Sequence, residues 1–176
     1  MTIVISQSLH YIDGGKMNVE MKMYFACAIQ GEGNISLYKR KDKRTSKGFY
    51  LEPRIEVTNT EKDWIDFLKT KANIGHLHKD DSPSRRRKGY KTSYRWIVCA
   101  LNDVIFLLEG VKDFLIGKKI VVANLLLEYC QLRYVLNRSY SRKNGRISKG
   151  NQINYSQRMI EIYNEMKKLN RRKIER

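Results

Sequence analysis

The residues with the clearest chemical potential lie between Phe25 and Gly33, FACAIQGEG, where a helix-forming apolar run ends in Gly31-Glu32-Gly33. A carboxylate at a helix C-terminus faces the negative end of the macrodipole and requires a cation nearby. Gly31 removes a Cβ just before the acid, and Gly33 is expected to take the positive φ that turns the chain out of the helix. Glu32 then projects from the tip of an apolar helix. Cys27 and Gly31, four apart on one face, form a small-xxx-small spacing that lets another backbone approach closely. The same spacing fits an ordinary buried helix with a Gly C-cap and one solvated Glu, and spacing alone does not choose.

Charge narrows the choice. Lys and Arg number 35 against 18 Asp and Glu in 176 residues, a net charge of +17. So large an excess repels itself, and a polyanionic partner accounts for it. Nucleic acid comes first; an anionic membrane comes second, but there is no run of 18 apolar residues and no basic amphipathic N-terminal segment. Met1 to Gly15 has no basic n-region, which predicts no secretory signal. Cys27, Cys99 and Cys130 sit in apolar stretches with no CxxC spacing, and are expected to be buried free thiols in a reducing intracellular compartment, cytoplasm or organelle matrix.

The elements that must position Glu32 follow from periodicity. Asn18 to Gln30 predicts a helix buried on most sides. From Asn34 the period becomes two: Asn34, Ser36, Tyr38 and Arg40 share one face, Ile35 and Leu37 the other. A second run places Phe49, Leu51, Pro53, Ile55 and Val57 inward and Tyr50, Glu52, Arg54, Glu56 and Thr58 outward, giving an antiparallel pair with an edge or bulge at Pro53. Thr60 with Asp63 predicts an N-cap for a second helix ending near Asn73-Ile74-Gly75. Ile74 to Lys79 and Lys91 to Ala100 form a second strand pair around a basic loop, Asp80 to Gly89, with Tyr94, Trp96 and Val98 inward and Ser93 and Arg95 outward. A third helix from Asn102 to Phe114 is interrupted at Ile116-Gly117-Lys118-Lys119, and another runs from Ile120 to about Leu136. Ser139 to Gly150 is a polar, basic connection, and Tyr155 to Leu169 has helical spacing before a basic tail. The predicted class is α+β, a four-stranded antiparallel sheet with helices on one face and an open polar face. Residues 1–137 form one domain; 138–176 form a basic connection and a C-terminal helix packed on it or extending it.

This order, with an acid closing the first helix, resembles the LAGLIDADG homing endonucleases, whose subunits follow an αββαββα pattern with a DNA-facing sheet and further C-terminal helices. Phe25 to Gly33 aligns one for one with the name motif. Ala26, Ile29, Gly31 and Gly33 are as the family leads one to expect, and Glu32 is an accepted acid at the metal position. Phe25 and Ala28 are hydrophobic substitutions, Cys27 replaces a glycine at the helix contact, and Gln30 replaces the first acid. The resemblance covers Asn18 to Leu136 through element order. One motif copy implies a homodimer through the Phe25 to Gly33 helix, with both copies of Glu32 at its centre. Two carboxylates at two helix C-termini suit a divalent metal with oxygen ligands. No other protein partner is implied.

What the resemblance implies is a site-specific DNA endonuclease in which Glu32 and the Gly31 carbonyl hold Mg²⁺, with Mn²⁺ able to substitute and Ca²⁺ binding without supporting cleavage. It further implies a polar residue at the end of the second strand, matched to Asn59, and a lysine after the third helix, matched to Lys118 with Lys119 as the near alternative. A helix-flanking polar residue and a solvated basic turn are the plain readings of these positions. Base reading falls to the outward strand residues Asn34, Ser36, Tyr38, Arg40, Tyr50, Glu52, Arg54, Glu56, His76, His78, Ser93 and Arg95. Arg suits guanine, Asn adenine, and Glu accepts from cytosine. His76 and His78 have no third metal ligand in view and belong with that surface. Arg85, Arg86 and Arg87 meet phosphates. An RNA maturase of the same fold, or a non-catalytic DNA-binding regulator, are the rival readings.

Overall fold

The computed structural model describes residues 12–13, 16–42, 48–139 and 155–171; the basic connection from 140 to 154 and the tail beyond Arg171 lie outside them. A short antiparallel pair, β1 (Ile12–Asp13) and β2 (Lys16–Met17), precedes helix α1 (Val19–Glu32). There follow β3 (Gly33–Lys41), β4 (Phe49–Asn59), α2 (Lys62–Ala72), β5 (His76–Asp80), a short α3 (Pro83–Arg87) and β6 (Ser93–Val98). The chain closes with α4 (Leu101–Val111), a 3-10 turn (Lys112–Phe114), α5 (Lys118–Ser139) and α6 (Gln157–Asn170). Among the described residues no helix is long and apolar enough to cross a membrane.

Period-two alternation builds the sheet. Its order is β3-β4-β6-β5, antiparallel throughout, and the register of β3 on β4 runs without a break from Gly33↔Val57 to Lys41↔Phe49. One face carries Ile35, Leu37, Leu51, Ile55, Val57, Trp96 and Val98 into a core shared with Phe25 and Ile29 of α1, Ile65 and Leu68 of α2, Leu107 of α4, Leu126 of α5 and Met159 of α6. Trp96 fixes the layer spacing: its ring lies 5.5 Å from that of Phe25, and its Nε1 donates to Ile74 O at 3.0 Å.

At Pro53 the structure has the expected edge, without a bulge. β6 pairs with β4 only from Ile55 to Asn59, so Pro53 lies where β4 has lost that neighbour and its missing N–H costs no ladder bond. Thr60 does not cap α2; the N-cap is Glu61, and Asn59 Oδ1 accepts the Glu61 N–H at 2.9 Å instead. Asn73, with φ 51°, ends α2 as expected. The break after α4 is shorter than predicted, since α5 already begins at Lys118.

The exposed edge of β4 is closed by side chains. Leu51 N–H donates to Tyr155 Oη at 2.8 Å, while Leu51 O accepts from Tyr129 Oη at 2.8 Å and Arg133 Nη1 at 2.7 Å. Burial pushes the Tyr129 phenol well above its ordinary pKa, so it remains a donor. Buried main-chain groups must be paired, and here α5 and the entry to α6 do what a further strand would have done. α6 is then held by Met159, Ile162 and Met166 in the core, by paired Arg158–Glu128 contacts at 2.7 and 2.8 Å, and by Asn170 Nδ2 donating to Ile35 O at 3.0 Å. Tyr155→Phe leaves the Leu51 N–H without an acceptor and should cost about 1–3 kcal/mol in urea unfolding. Tyr129→Phe, with Arg133 still on the carbonyl, should cost roughly 0.5–1.5 kcal/mol; a larger loss for Tyr129→Phe would contradict this arrangement.

Candidate active site and nucleic-acid interface

Helix α1 is apolar on two sides. Met21, Phe25, Ala28 and Ile29 are buried in the core. On the opposite side Val19, Met23, Cys27 and Gly31 form a line at steps of four and are exposed, Val19 to 61% and Met23 to 50%. Cys27 was expected to be buried; it belongs instead to this open line, while Cys130 is buried, with its thiol pushed up to about 12 by desolvation. A Cβ built on Gly31 meets nothing within 4 Å, so that side of the helix end is open to an approaching backbone. Glu32 stands exposed as the last helical residue.

The helix passes into β3 without a loop. Gly33 is both C-cap and first strand residue, with φ −90° and ψ 155°, so the expected positive φ is absent. Glycine is needed for space: a Cβ there would lie 2.6 Å from both Ile29 Cα and Ile29 O. The chain folds back on its own last turn, which holds Glu32 at the junction.

The cation demanded by the helix end is Lys119. Its Nζ donates to Ile29 O at 2.9 Å and also to Gly33 O. Burial, and secondarily the charge of Lys118, lower its pKa from the ordinary lysine value. The turn carrying it is anchored on α1, since Ile116 N–H donates to Gln30 Oε1 at 3.3 Å, and Gly117 takes φ 57° to start α5. Gln30, which replaces the motif's first acid, thereby positions the lysine. Lys118 is exposed beside it. Lys118, Lys119, Asn34 and Asn170 line a cavity of about 250 Å³ next to the junction. Asn59 ends β4 two residues past Val57, the partner of Gly33, at the same end of the sheet; its Oδ1 is engaged by the Glu61 N–H.

The open face gathers the predicted strand residues. Register places Asn34 opposite Glu56, Ser36 opposite Arg54, Tyr38 opposite Glu52 and Arg40 opposite Tyr50, and puts His78 opposite Arg95. Two of these are not surface groups: Ser36 is 9% and Ser93 5% exposed. His76 and His78 are exposed on β5. Arg86 and Arg87 are exposed on α3, where Arg86 pairs with Asp81 at 3.2 Å; the Arg85 side chain lies outside the described set.

Across this face runs an unbroken series of ion pairs. Arg40 pairs with Glu52; Glu52 with Arg54 at 3.3 Å; Arg54 with Glu56 at 3.4 Å; Glu56 with Arg95 at 3.5 Å; and Arg95 with Asp80 at 3.1 Å. Burial opposes the charge on Arg54, but Glu52 and Glu56 outweigh it and raise its pKa. Asp80 lies one residue past the strand that the sequence predicts to end at Lys79; two residues beyond His78, it continues the same period.

No protein-family model and no curated protein matches the sequence. Solved structures do match. The homing endonuclease I-CvuI, in complex with its target in the presence of Ca, aligns with a TM-score of 0.63 over 89% of this chain and 88% of its own, at 13% identity. The LAGLIDADG meganuclease I-CpaMI bound to uncleaved DNA aligns with a TM-score of 0.54 over 86% of this chain and 50% of its own, at 11% identity. This chain has the fold of the LAGLIDADG homing endonucleases. The archaeal intron-encoded homing endonuclease I-Vdi141I, complexed with DNA, shares it at a TM-score of 0.51 and 18% identity, over 84% of this chain and 95% of its own. Within the LAGLIDADG fold, the stretch aligned with the motif is the second half of α1 and its junction with β3.

Lys119→Met, which keeps the stem and removes the ammonium, should cost about 1–3 kcal/mol in chemical unfolding, because two carbonyls lose a charged donor. Lys118→Met should change stability by less than about 0.5 kcal/mol. Equal effects would show that Lys119 does not close the helix end.

Proposed function

We propose that this protein is a homodimeric, divalent-metal-dependent endonuclease that cuts both strands of duplex DNA at a long pseudo-palindromic site. The observation that carries the proposal is the exposed line Val19, Met23, Cys27 and Gly31 ending at Glu32. A helix apolar on both sides is stable when both are covered, and steps of four make a ridge that packs into the grooves of a second helix. Two-fold pairing uses the same patch on both copies. It brings the two Glu32 carboxylates together and sets two polar sheet faces side by side.

The residues fit a hard cation. The Glu32 carboxylate and the Gly31 carbonyl, one of the helix's last four C=O groups, are oxygen donors of the kind Mg²⁺ and Ca²⁺ take, and Mn²⁺ accepts them too. Among the described residues no three His, Cys, Asp or Glu side chains cluster, so one chain offers an incomplete set. The Glu32 of a second copy, water and a DNA phosphate suit the remaining positions. A bound divalent ion would lower the pKa of a water and neutralise charge on the phosphodiester. Glu32 would hold and orient the ion; Lys119, seated on the Ile29 and Gly33 carbonyls, offsets the negative helix end and would offset charge developing on phosphate. Asn59 is assigned to orient water through its amide N–H₂. Lys118 and the arginines of α3 are assigned to phosphates, and the strand residues to base edges over about one helical turn per subunit. An intron- or intein-type mobile element is the genetic setting this activity implies.

The test is a plasmid carrying the fused flanks of the host gene, incubated with Mg²⁺ or with EDTA. A Mg²⁺-dependent double-strand cut at the junction is expected, and none would sink the proposal. Glu32→Gln should lower cleavage by at least about 10²-fold while DNA binding in a gel shift persists. In native mass measurement at micromolar concentration the protein should be a dimer. Cys27→Glu, placing a charge in the pairing line, should yield the monomer.

A further inference from the structure

The DNA-facing sheet of this chain carries a charge pattern unlike that of the protein as a whole. The net charge is +17, yet the file Arg40, Glu52, Arg54, Glu56, Arg95 and Asp80, which touches all four strands, alternates in sign and sums to zero. The middle of the file is packed: the side chains of Glu52, Arg54 and Glu56 are 12 to 13% exposed. Arg54 also lies over the Tyr38 ring at 5.0 Å, and Glu56 Oε1 accepts from Thr58 Oγ1 at 3.4 Å. Glu56 is thus fixed on both sides, with Arg54 on one carboxylate oxygen and Arg95 on the other.

Such a file treats phosphates and base edges differently. A phosphate approaching Arg54 or Arg95 meets the repulsion of Glu56, and to capture a guanidinium it must break an ion pair in a partly dehydrated place where charges interact strongly. A guanine edge is neutral. Its O6 and N7 accept from guanidinium Nη–H groups that the carboxylates leave over, each Nη carrying two N–H while the Arg54 Nε–H is buried, and the paired cytosine N4–H₂ donates to a carboxylate. A surface of free arginines would bind any duplex through its backbone.

We infer that Glu56 is a specificity-determining positioning residue, which withholds Arg54 and Arg95 from phosphates and presents them to G·C pairs in the middle of each half-site. This rests on the DNA-binding reading above. Affinity then comes from the basic periphery, and discrimination from the neutral file.

The experiment is enrichment from a pool of randomised duplexes by the wild-type protein, followed by affinities for the enriched duplex and for random duplex over a salt series in Ca²⁺. The wild type should enrich G·C at two or more half-site positions. Glu56→Gln should bind random duplex several-fold more tightly, lower the ratio of enriched to random affinity by roughly tenfold, and steepen the salt slope on random duplex by about one to two as freed guanidiniums take phosphates. Glu109→Gln, an exposed acid on α4 away from the sheet, controls for net charge and should shift both affinities alike. Glu56→Gln combined with Arg95→Gln should return random binding towards the wild-type level and guards against a folding defect in the single variant. A Glu56→Gln ratio equal to wild type, or an effect no different from Glu109→Gln, overturns this inference and leaves the endonuclease reading standing. Failure of the wild type to enrich any sequence overturns both.

Discussion

The seating of Lys119 on the end of α1 is the contact on which the site depends. Ile29 O accepts both the Gly33 N–H and the Lys119 ammonium, and Gly33 O accepts the same ammonium. The negative end of a helix, the first residue of a strand and the start of another helix are thereby drawn to one point. A carboxylate placed there without a cation would face the macrodipole unopposed. With the lysine present, Glu32 is left exposed at the junction, and Gly33, which has no room for a Cβ, keeps strand and helix in contact.

The sheet carries that junction and separates two environments. On its inner face apolar side chains pack against five helices, with Trp96 and Phe25 at the centre. On its outer face a series of ion pairs joins neighbouring side chains. A sheet covered on one side only has this division, and the period of two keeps it strict along each strand. Where β6 stops short of the outer half of β4, Tyr129, Arg133 and Tyr155 take over the main-chain groups of Leu51. The C-terminal helix is therefore tied both to the sheet edge and, through Asn170, to β3 near the motif.

How much of this was legible depended on range. The strands, their inward and outward residues and the antiparallel pairing followed from alternation, which acts over a few residues. The motif helix and the exposed acid followed from FACAIQGEG and its likeness to the nine-residue motif. Less local features escaped. Gly33 was expected to supply positive φ because that is the common reason for glycine at a helix end, whereas its reason here is steric contact with Ile29. Thr60 has the composition of an N-cap, but Asn59 satisfies the turn first. Cys27 reads as a core residue by its neighbours, since a helix apolar on both sides gives no sign of which side the core takes.

The alternation of the strands and the chemical type of the acid at Glu32 are properties of residues near one another in the chain, and the basic excess is a property of composition, so all three are legible without a fold. Tertiary structure decided which lysine meets the helix end. Lys118 and Lys119 are neighbours of the same chemistry, and only the placement of the α4–α5 turn against Gln30 turns one inward and leaves the other in solvent. It also decided that six charges from four strands form one alternating file, because cross-strand register, absent from any single segment, sets which carboxylate stands between which guanidiniums.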